Sequence, residues 1–224
     1  MTARRVTLLL ALSAACGACV VAPATALAGT LDQQQTASNF NEAVVDVQSV
    51  AQTFTAGRSG RLDQVDLFLR KFGSPAAGIA VELRDVAAGA PGTQVLATTT
   101  VPASSVTGLS VLGFASAGFS APASVAAGTQ YAIVAYTSAS GASAYGWGAQ
   151  SGNPYPGGSE FTLSASPPGS SWAQHSNDTA FKTYVAPTSS GPTGQRSAAL
   201  KKCKKKHSHK ARKKCKKKAN LLPL

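Results

Sequence analysis

Between Gly29 and Gly194 the chain has no cysteine and a single histidine, His175. That stretch therefore holds no disulfide staple and no thiolate metal centre, and its stability has to come from a packed core. At roughly 160 residues such a core is feasible, since a chain near that size buries about 70% of its unfolded surface. Catalytic signatures are missing too. There is no Gly-x-Ser-x-Gly elbow, no His-Glu-x-x-His, no phosphate-binding P-loop and no dinucleotide glycine motif. His175 and Asp178 stand three positions apart, a spacing that suits a turn cap better than two members of a triad. Glycoside hydrolysis by paired acids needs carboxyls ~5–9 Å apart. Glu82, Asp85, Glu160 and Asp178 are the acids available, and Glu82 alternates with Val81 and Leu83 as on a solvated strand face. Nothing here identifies a reaction. The expectation is a protein that is not an enzyme and uses no cofactor.

A second absence divides the chain. From Arg196 to Leu224 there is no acid and no aromatic residue, while thirteen Lys and Arg crowd the segment. Residues 29–195 hold nine Asp and Glu against six Lys and Arg, so the formal net charge of +12 belongs to the tail and not to the domain. The tail is expected to be disordered and to contact something anionic through Lys201, Lys202, Lys204, Lys205, Lys206, Lys210, Arg212, Lys213, Lys214, Lys216, Lys217 and Lys218. Lacking aromatics, it offers no base stacking, so specific nucleic-acid recognition is not expected. The unit Lys-Lys-Cys-Lys-Lys-Lys occurs at 201–206 and again at 213–218, with His207 and His209 between. Two thiols and two imidazoles are zinc-type ligands, but Cys203-x3-His207-x-His209-x5-Cys215 matches no common finger, and the lysines repel a divalent cation. A Cys203–Cys215 disulfide is the preferred reading, with intermolecular pairing as the alternative and no metal expected.

Residues 1–28 read as a secretory signal peptide. Arg4 and Arg5 form the positive n-region, Val6 to Val21 a nearly uncharged apolar run, and Ala26-Leu27-Ala28 a small-x-small cleavage site. A permanent anchor would need a longer apolar stretch, near ~20 residues. Lipidation at Cys16 is disfavoured because Ser13 stands where a lipobox usually has Leu. The expectation is a secreted or cell-envelope-associated protein.

Short β-branched and aromatic runs then alternate with Gly, Pro, Ser and Asn clusters. The clearest are Ser49–Thr55, Leu62–Phe72, Ile79–Val86, Gln94–Val101, Val111–Phe119, Tyr131–Thr137, Tyr145–Gln150, Glu160–Ala165 and Thr179–Val185. Turns are expected at Gly57, Gly73, Gly89-Ala90-Pro91-Gly92 and Gly128, and no amphipathic helix of ten or more residues shows before the tail. The implied fold class is all-β, an antiparallel β-sandwich of jelly-roll type. The organisation is a lead-in or first strand over 29–48, the sandwich over 49–185, a flexible Gly/Pro/Ser linker over 186–195, and the polycationic tail over 196–224.

The series Gln52-Thr53-Phe54-Thr55-Ala56-Gly57, Gly60-Arg61-Leu62-Asp63-Gln64-Val65, Val81-Glu82-Leu83-Arg84-Asp85 and Ala127-Gly128-Thr129-Gln130-Tyr131 opens a pattern closed by Trp147, Tyr155-Pro156-Gly157-Gly158, Trp172 and Asp178-Thr179-Ala180-Phe181. Over about residues 45–185 it resembles a jelly-roll module that recurs in exported bacterial proteins, similar in layout to carbohydrate-binding modules. The tail is similar to the lysine/cysteine-rich C-termini of secreted actinobacterial proteins. The resemblance implies an extracellular, non-catalytic sandwich.

Tyr145, Trp147, Tyr155 and Trp172 lie among Gly, Asn and Pro that suit exposed loops. They are candidates to stack on sugar rings, with Asn153 among the amides placed to bond hydroxyls; the alternative is that the tryptophans fill the core. Asp178 is one candidate oxygen ligand for calcium, far short of the several the ion wants. The expected function is a glycan-binding module retained at an anionic envelope by its tail, with extracellular polysaccharide or cell-wall polyanion as partner. The alternative is a structural or adhesive envelope protein in which only the tail binds.

Overall fold

The computed structural model describes residues 29–108, 111–165, 171–188 and 194–221. The segment expected to be a signal peptide, 1–28, and the middle of the expected linker, 189–193, lie outside the described residues. The chain forms β1 (Thr30–Gln35), β2 (Phe40–Val44), β3 (Gln48–Thr55), β4 (Gly60–Phe72), β5 (Ile79–Ala87), β6 (Ala90–Val101), β7 (Gly113–Val125), β8 (Gln130–Tyr136), β9 (Ala144–Ser151), β10 (Glu160–Ser164), β11 (Ala173–Gln174), β12 (Asn177–Thr179) and β13 (Phe181–Ala186). Two helices follow, α1 (Gly194–Lys204) and α2 (His209–Ala219).

The strands pair antiparallel in two sheets packed as a sandwich. One has seven strands in the order β1-β13-β4-β9-β12, with β2 also on β9 and β7 also on β4; the other has six, β11-β10-β3-β8-β5-β6. The seven-stranded sheet curls because its long strand β4 serves two partners along one edge. Arg61 to Leu67 pair with β13, and Leu69 to Phe72 pair with β9. Ala180 marks the crossover between β12, on β9, and β13, on β4. Its N–H donates to the Gly148 carbonyl at 2.7 Å, and its own carbonyl accepts from the Phe68 N–H at 3.1 Å.

Alternation sets the core, since successive side chains of a strand point to opposite faces. Leu67 and Leu69 of β4, Val81 and Leu83 of β5, Ile133 of β8, Tyr145 and Trp147 of β9 and Phe181 of β13 are buried between the sheets. Phe54 joins the aromatic interior, its ring centroid 6.1 Å from Tyr131 and 6.0 Å from Phe181.

Several expectations shift. The lead-in over 29–48 is part of the fold, supplying β1 and β2 to the seven-stranded sheet. The turn expected at Gly89–Gly92 sits at Ala88-Gly89 instead, with Ala90 and Pro91 already in β6. Both turn residues have positive φ, 51° and 81°, the geometry of a two-residue primed hairpin turn whose twist matches the flanking strands. Glu82 does not stand on a solvated face. It is buried, paired with Arg84 at 2.6 Å and accepting the Tyr136 hydroxyl at 2.8 Å.

The largest correction concerns the tail, whose charge predicts disorder. It forms a helical hairpin joined by the Cys203–Cys215 disulfide, with Cα atoms 5.4 Å apart. From Arg196 to Ala219 there is neither Gly nor Pro. Lys, Ala, Leu and Arg are good helix formers, so local propensity opposes the like-charge repulsion. Lysines end both helices, where positive charge meets the negative end of the helix dipole. The Arg196 guanidinium donates to Asn220 Oδ1 at 3.2 Å, closing the open end of the hairpin.

Candidate functional site

The four aromatic candidates do not share a surface. Trp147 is 0% exposed, and its indole N–H donates to the Ala180 carbonyl at 2.9 Å. Tyr145 is also fully buried, its hydroxyl bonded to the Ala77 carbonyl at 2.5 Å, and burial raises its pKa. Neither ring has a free face for a sugar; both sit on core-facing positions of β9, and their polar atoms are satisfied internally. Tyr155 is half-buried, edge-on to Phe181 at 5.2 Å, and donates to Gln33 Oε1 at 2.9 Å. Burial pushes its phenol up to about 12. Trp172 lies elsewhere, half-buried against Ala51, Val134 and Phe161 on the outer face of the six-stranded sheet, near the exposed Gln174.

Asn153, Tyr155 and Asp178 do come together, but around a structural carboxylate. Asp178 is completely buried; one oxygen accepts from Gln52 Nε2 at 2.7 Å and the other from the Tyr155 N–H at 2.9 Å. With its amide nitrogen turned inward, Asn153 donates to the same carboxylate at 3.1 Å. Asn153 itself turns the chain at φ +54°. Burial raises the Asp178 pKa, against the lowering effect of the hydrogen bonds from Tyr155 and Gln52. Asp178 is thus no surface ligand for a sugar or calcium. It ties the loop before β10 to β12, and Gln52 fastens β3 of the opposite sheet to both, accepting from the Thr179 N–H at 2.7 Å. His175 is not its partner: the imidazole Nε2 meets the Thr162 hydroxyl at 2.8 Å.

Glu160 completes this polar interior. It has no exposed surface, and neither carboxyl oxygen receives an N–H or hydroxyl hydrogen bond among the described residues. Burial pushes its pKa up to about 8, and charge repulsion from Glu42 and Asp178 adds to this. Glu42 lies on β2 and Glu160 on β10, so the pair spans the two sheets. Glu160 is buried and Glu42 half-buried, an arrangement that favours a proton held on Glu160. Among the described residues, no group of three or more His, Cys, Asp or Glu is arranged to hold a metal ion.

Sequence reasoning missed one surface. On the outer face of the seven-stranded sheet, the Phe68 and Phe114 ring centroids lie 4.8 Å apart with the rings tilted by 42°, Lys182 Nζ is 4.1 Å from the Phe114 ring centre and the Arg70 guanidinium 4.4 Å over Phe72. Phe68 and Phe72 lie against Gly148 and Gly146 of β9, where an added Cβ would approach the rings to 2.8 Å and 3.2 Å. The signal is there in the sequence: Phe68 alternates with buried Leu67 and Leu69, so an aromatic occupies the register expected of polar residues.

The remaining site is the hairpin. Arg212 and the eleven lysines from Lys201 to Lys218 are all exposed. Between the helices runs a groove of about 490 Å³, lined by Ala199, Ala211, Ala219, the disulfide and Lys202, Lys214 and Lys218. No protein-family model matches the chain, and no curated protein matches it.

Proposed function

We propose that this is a non-catalytic, exported binding protein held at an anionic envelope surface by its C-terminal hairpin, with the sandwich as its scaffold. One observation carries this reading: a disulfide-tied two-helix unit presents its lysines to solvent with no acid among residues 196–224 to neutralise them. Each lysine near an anionic surface is worth roughly 1 kcal/mol at low salt, so partial engagement suffices for adhesion, and the attraction weakens as salt rises. The likeness to jelly-roll modules of exported bacterial proteins accords with a scaffold role for the antiparallel sandwich.

Glycan binding by the sandwich is the second reading. Two rings keep it in play: half-buried Trp172 beside exposed Gln174, and Phe114, 37% exposed and topped by Lys182. Co-sedimentation with purified bacterial cell walls across a salt series separates the two. The chain from Gly29 is expected to bind at low salt and release at high salt, and a version ending at Thr188 is expected to stay in solution. Binding by the shortened form, released by a soluble sugar, would replace the hairpin reading with the glycan one.

A further inference from the structure

Resting on the reading of the hairpin as an anion-binding unit, its groove narrows the kind of anion. We propose that the groove between α1 and α2 seats an anionic phospholipid, with the head group on Lys202, Lys214 and Lys218 and an acyl chain on the floor made by the alanines and the disulfide.

The argument starts from the helix register. Ala211, Cys215 and Ala219 recur every four residues and so share one face of α2, while Ala199 and Cys203 do the same on α1. The disulfide turns these two faces toward each other. What results is a groove of about 490 Å³, within the range of small-molecule sites. Its floor carries no hydrogen-bonding side chain. A wall polymer or a polyphosphate would use the lysines and leave the open part of that floor, at Ala199, Ala211 and Cys215, wet, whereas an acyl chain covers it. The lysines suit the rim, because a lysine lays its aliphatic stem along apolar surface and keeps its ammonium in water. No acid lies within the segment, so the neutralising charge has to come from outside.

A separate observation points to the same phase. Leu221 follows directly after α2 and is 81% exposed, the most exposed large apolar side chain among the described residues. An open leucine beside a lysine-rich helix is an apolar group that can enter a lipid interface while the lysines meet the head groups. Among the described residues, no helix is long and apolar enough to cross a membrane.

The test uses the chain from Gly29 with its disulfide intact. Flotation is measured with vesicles of phosphatidylcholine alone, with vesicles containing phosphatidylglycerol, and with soluble polyphosphate as competitor, each from low to high salt. The inference expects binding to phosphatidylglycerol vesicles that keeps a salt-resistant component, and displacement by polyphosphate only at low salt. Ala211→Gln leaves the charge unchanged at an exposed position of the groove. It should weaken the salt-resistant component about fourfold, the equivalent of one lost buried methylene, and leave polyphosphate binding as it was. Leu221→Ser should act in the same direction. If vesicle and polyphosphate binding fade together with salt, and both variants behave as the parent, the lipid seat is wrong and the hairpin is a plain polycation. Failure to bind either probe at low salt overturns the seat and the anion-binding reading together.

Discussion

The sandwich and the hairpin reach order by opposite routes. The sandwich has no cysteine and buries its large side chains between two sheets, even satisfying a tryptophan indole and an aspartate internally. The hairpin has almost no core. Among the described residues, Cys203 and Ala219 are its buried apolar ones, and a single covalent bond offsets a dense like charge. The contrast teaches where function can sit. Groups that hold the sandwich together are committed to packing, whereas the hairpin's cations are left facing solvent.

The contrast breaks first at Trp147. If it is core, Trp147→Ala costs about 3–5 kcal/mol of sandwich stability in denaturant unfolding, as expected for a large buried aromatic. Hairpin-dependent wall binding at low salt should persist where the variant remains folded. A variant that keeps full stability and loses sugar binding would return Trp147 to the list of ligand contacts.

Glu160 is the next lever. Its folded pKa, about 8, lies above its ordinary value of 4.5. The folded state therefore holds a proton that the unfolded chain releases, and the associated stability is complete below about 4.5 and gone by about 8. At roughly 1.4 kcal/mol per pH unit between those limits, the fall amounts to a few kcal/mol at most. Glu160→Gln mimics the protonated carboxyl. It should flatten the decline between mildly acid and mildly alkaline pH in chemical denaturation and make the protein more stable than the parent near pH 8. An unchanged slope would show that Glu160 is not the group buried as a neutral acid.

What the sequence tells and withholds follows the same division. Nine apolar runs overlap strands of the structure because alternation against a core leaves a periodic trace. β1 is harder to see, since Thr-Leu-Asp-Gln-Gln-Gln reads as polar; it is held instead by its pairing with β13 and by Gln35, whose amide donates to the Asp178 carbonyl at 3.1 Å. Trp147 reads both ways, and Tyr145 reads as a ligand contact, because ring type alone does not say which face of a strand is buried. The register of β9 decides it. Gln52 is legible in principle, a polar residue in register with Val50 and Phe54, but its partners at Asp178 and Thr179 are more than a hundred positions away. In the tail, charge alone reads as disorder, although propensity and the cysteine spacing both allow a hairpin.

Removing the disulfide sharpens the comparison from the other side. A cross-link closing a loop of this size is worth about 3 kcal/mol by loop entropy. With so little apolar burial to replace it, Cys203→Ser together with Cys215→Ser should melt α1 and α2, seen as lost helical circular dichroism near 222 nm. The denaturation midpoint of the sandwich should not move. Retained helicity would mean that propensity alone holds the hairpin, and a shifted midpoint would mean that the two regions are coupled.

The smallest effect tests the sandwich at its surface. Ala88 is exposed and held at φ +51°, in the left-handed region where a Cβ is crowded. Asn tolerates that region far better, and Asn-Gly is the favoured pair for this two-residue turn. Ala88→Asn should therefore stabilise the sandwich by about 0.5–1 kcal/mol, since the flanking β5–β6 register is already set and no side chain has to move. A small upward shift of the unfolding midpoint, with hairpin helicity and salt-dependent binding unchanged, would place the strain in the turn. No shift would mean that the β5–β6 hairpin takes its geometry from the pairing of β5 with β8 and with β6, and that the turn merely follows.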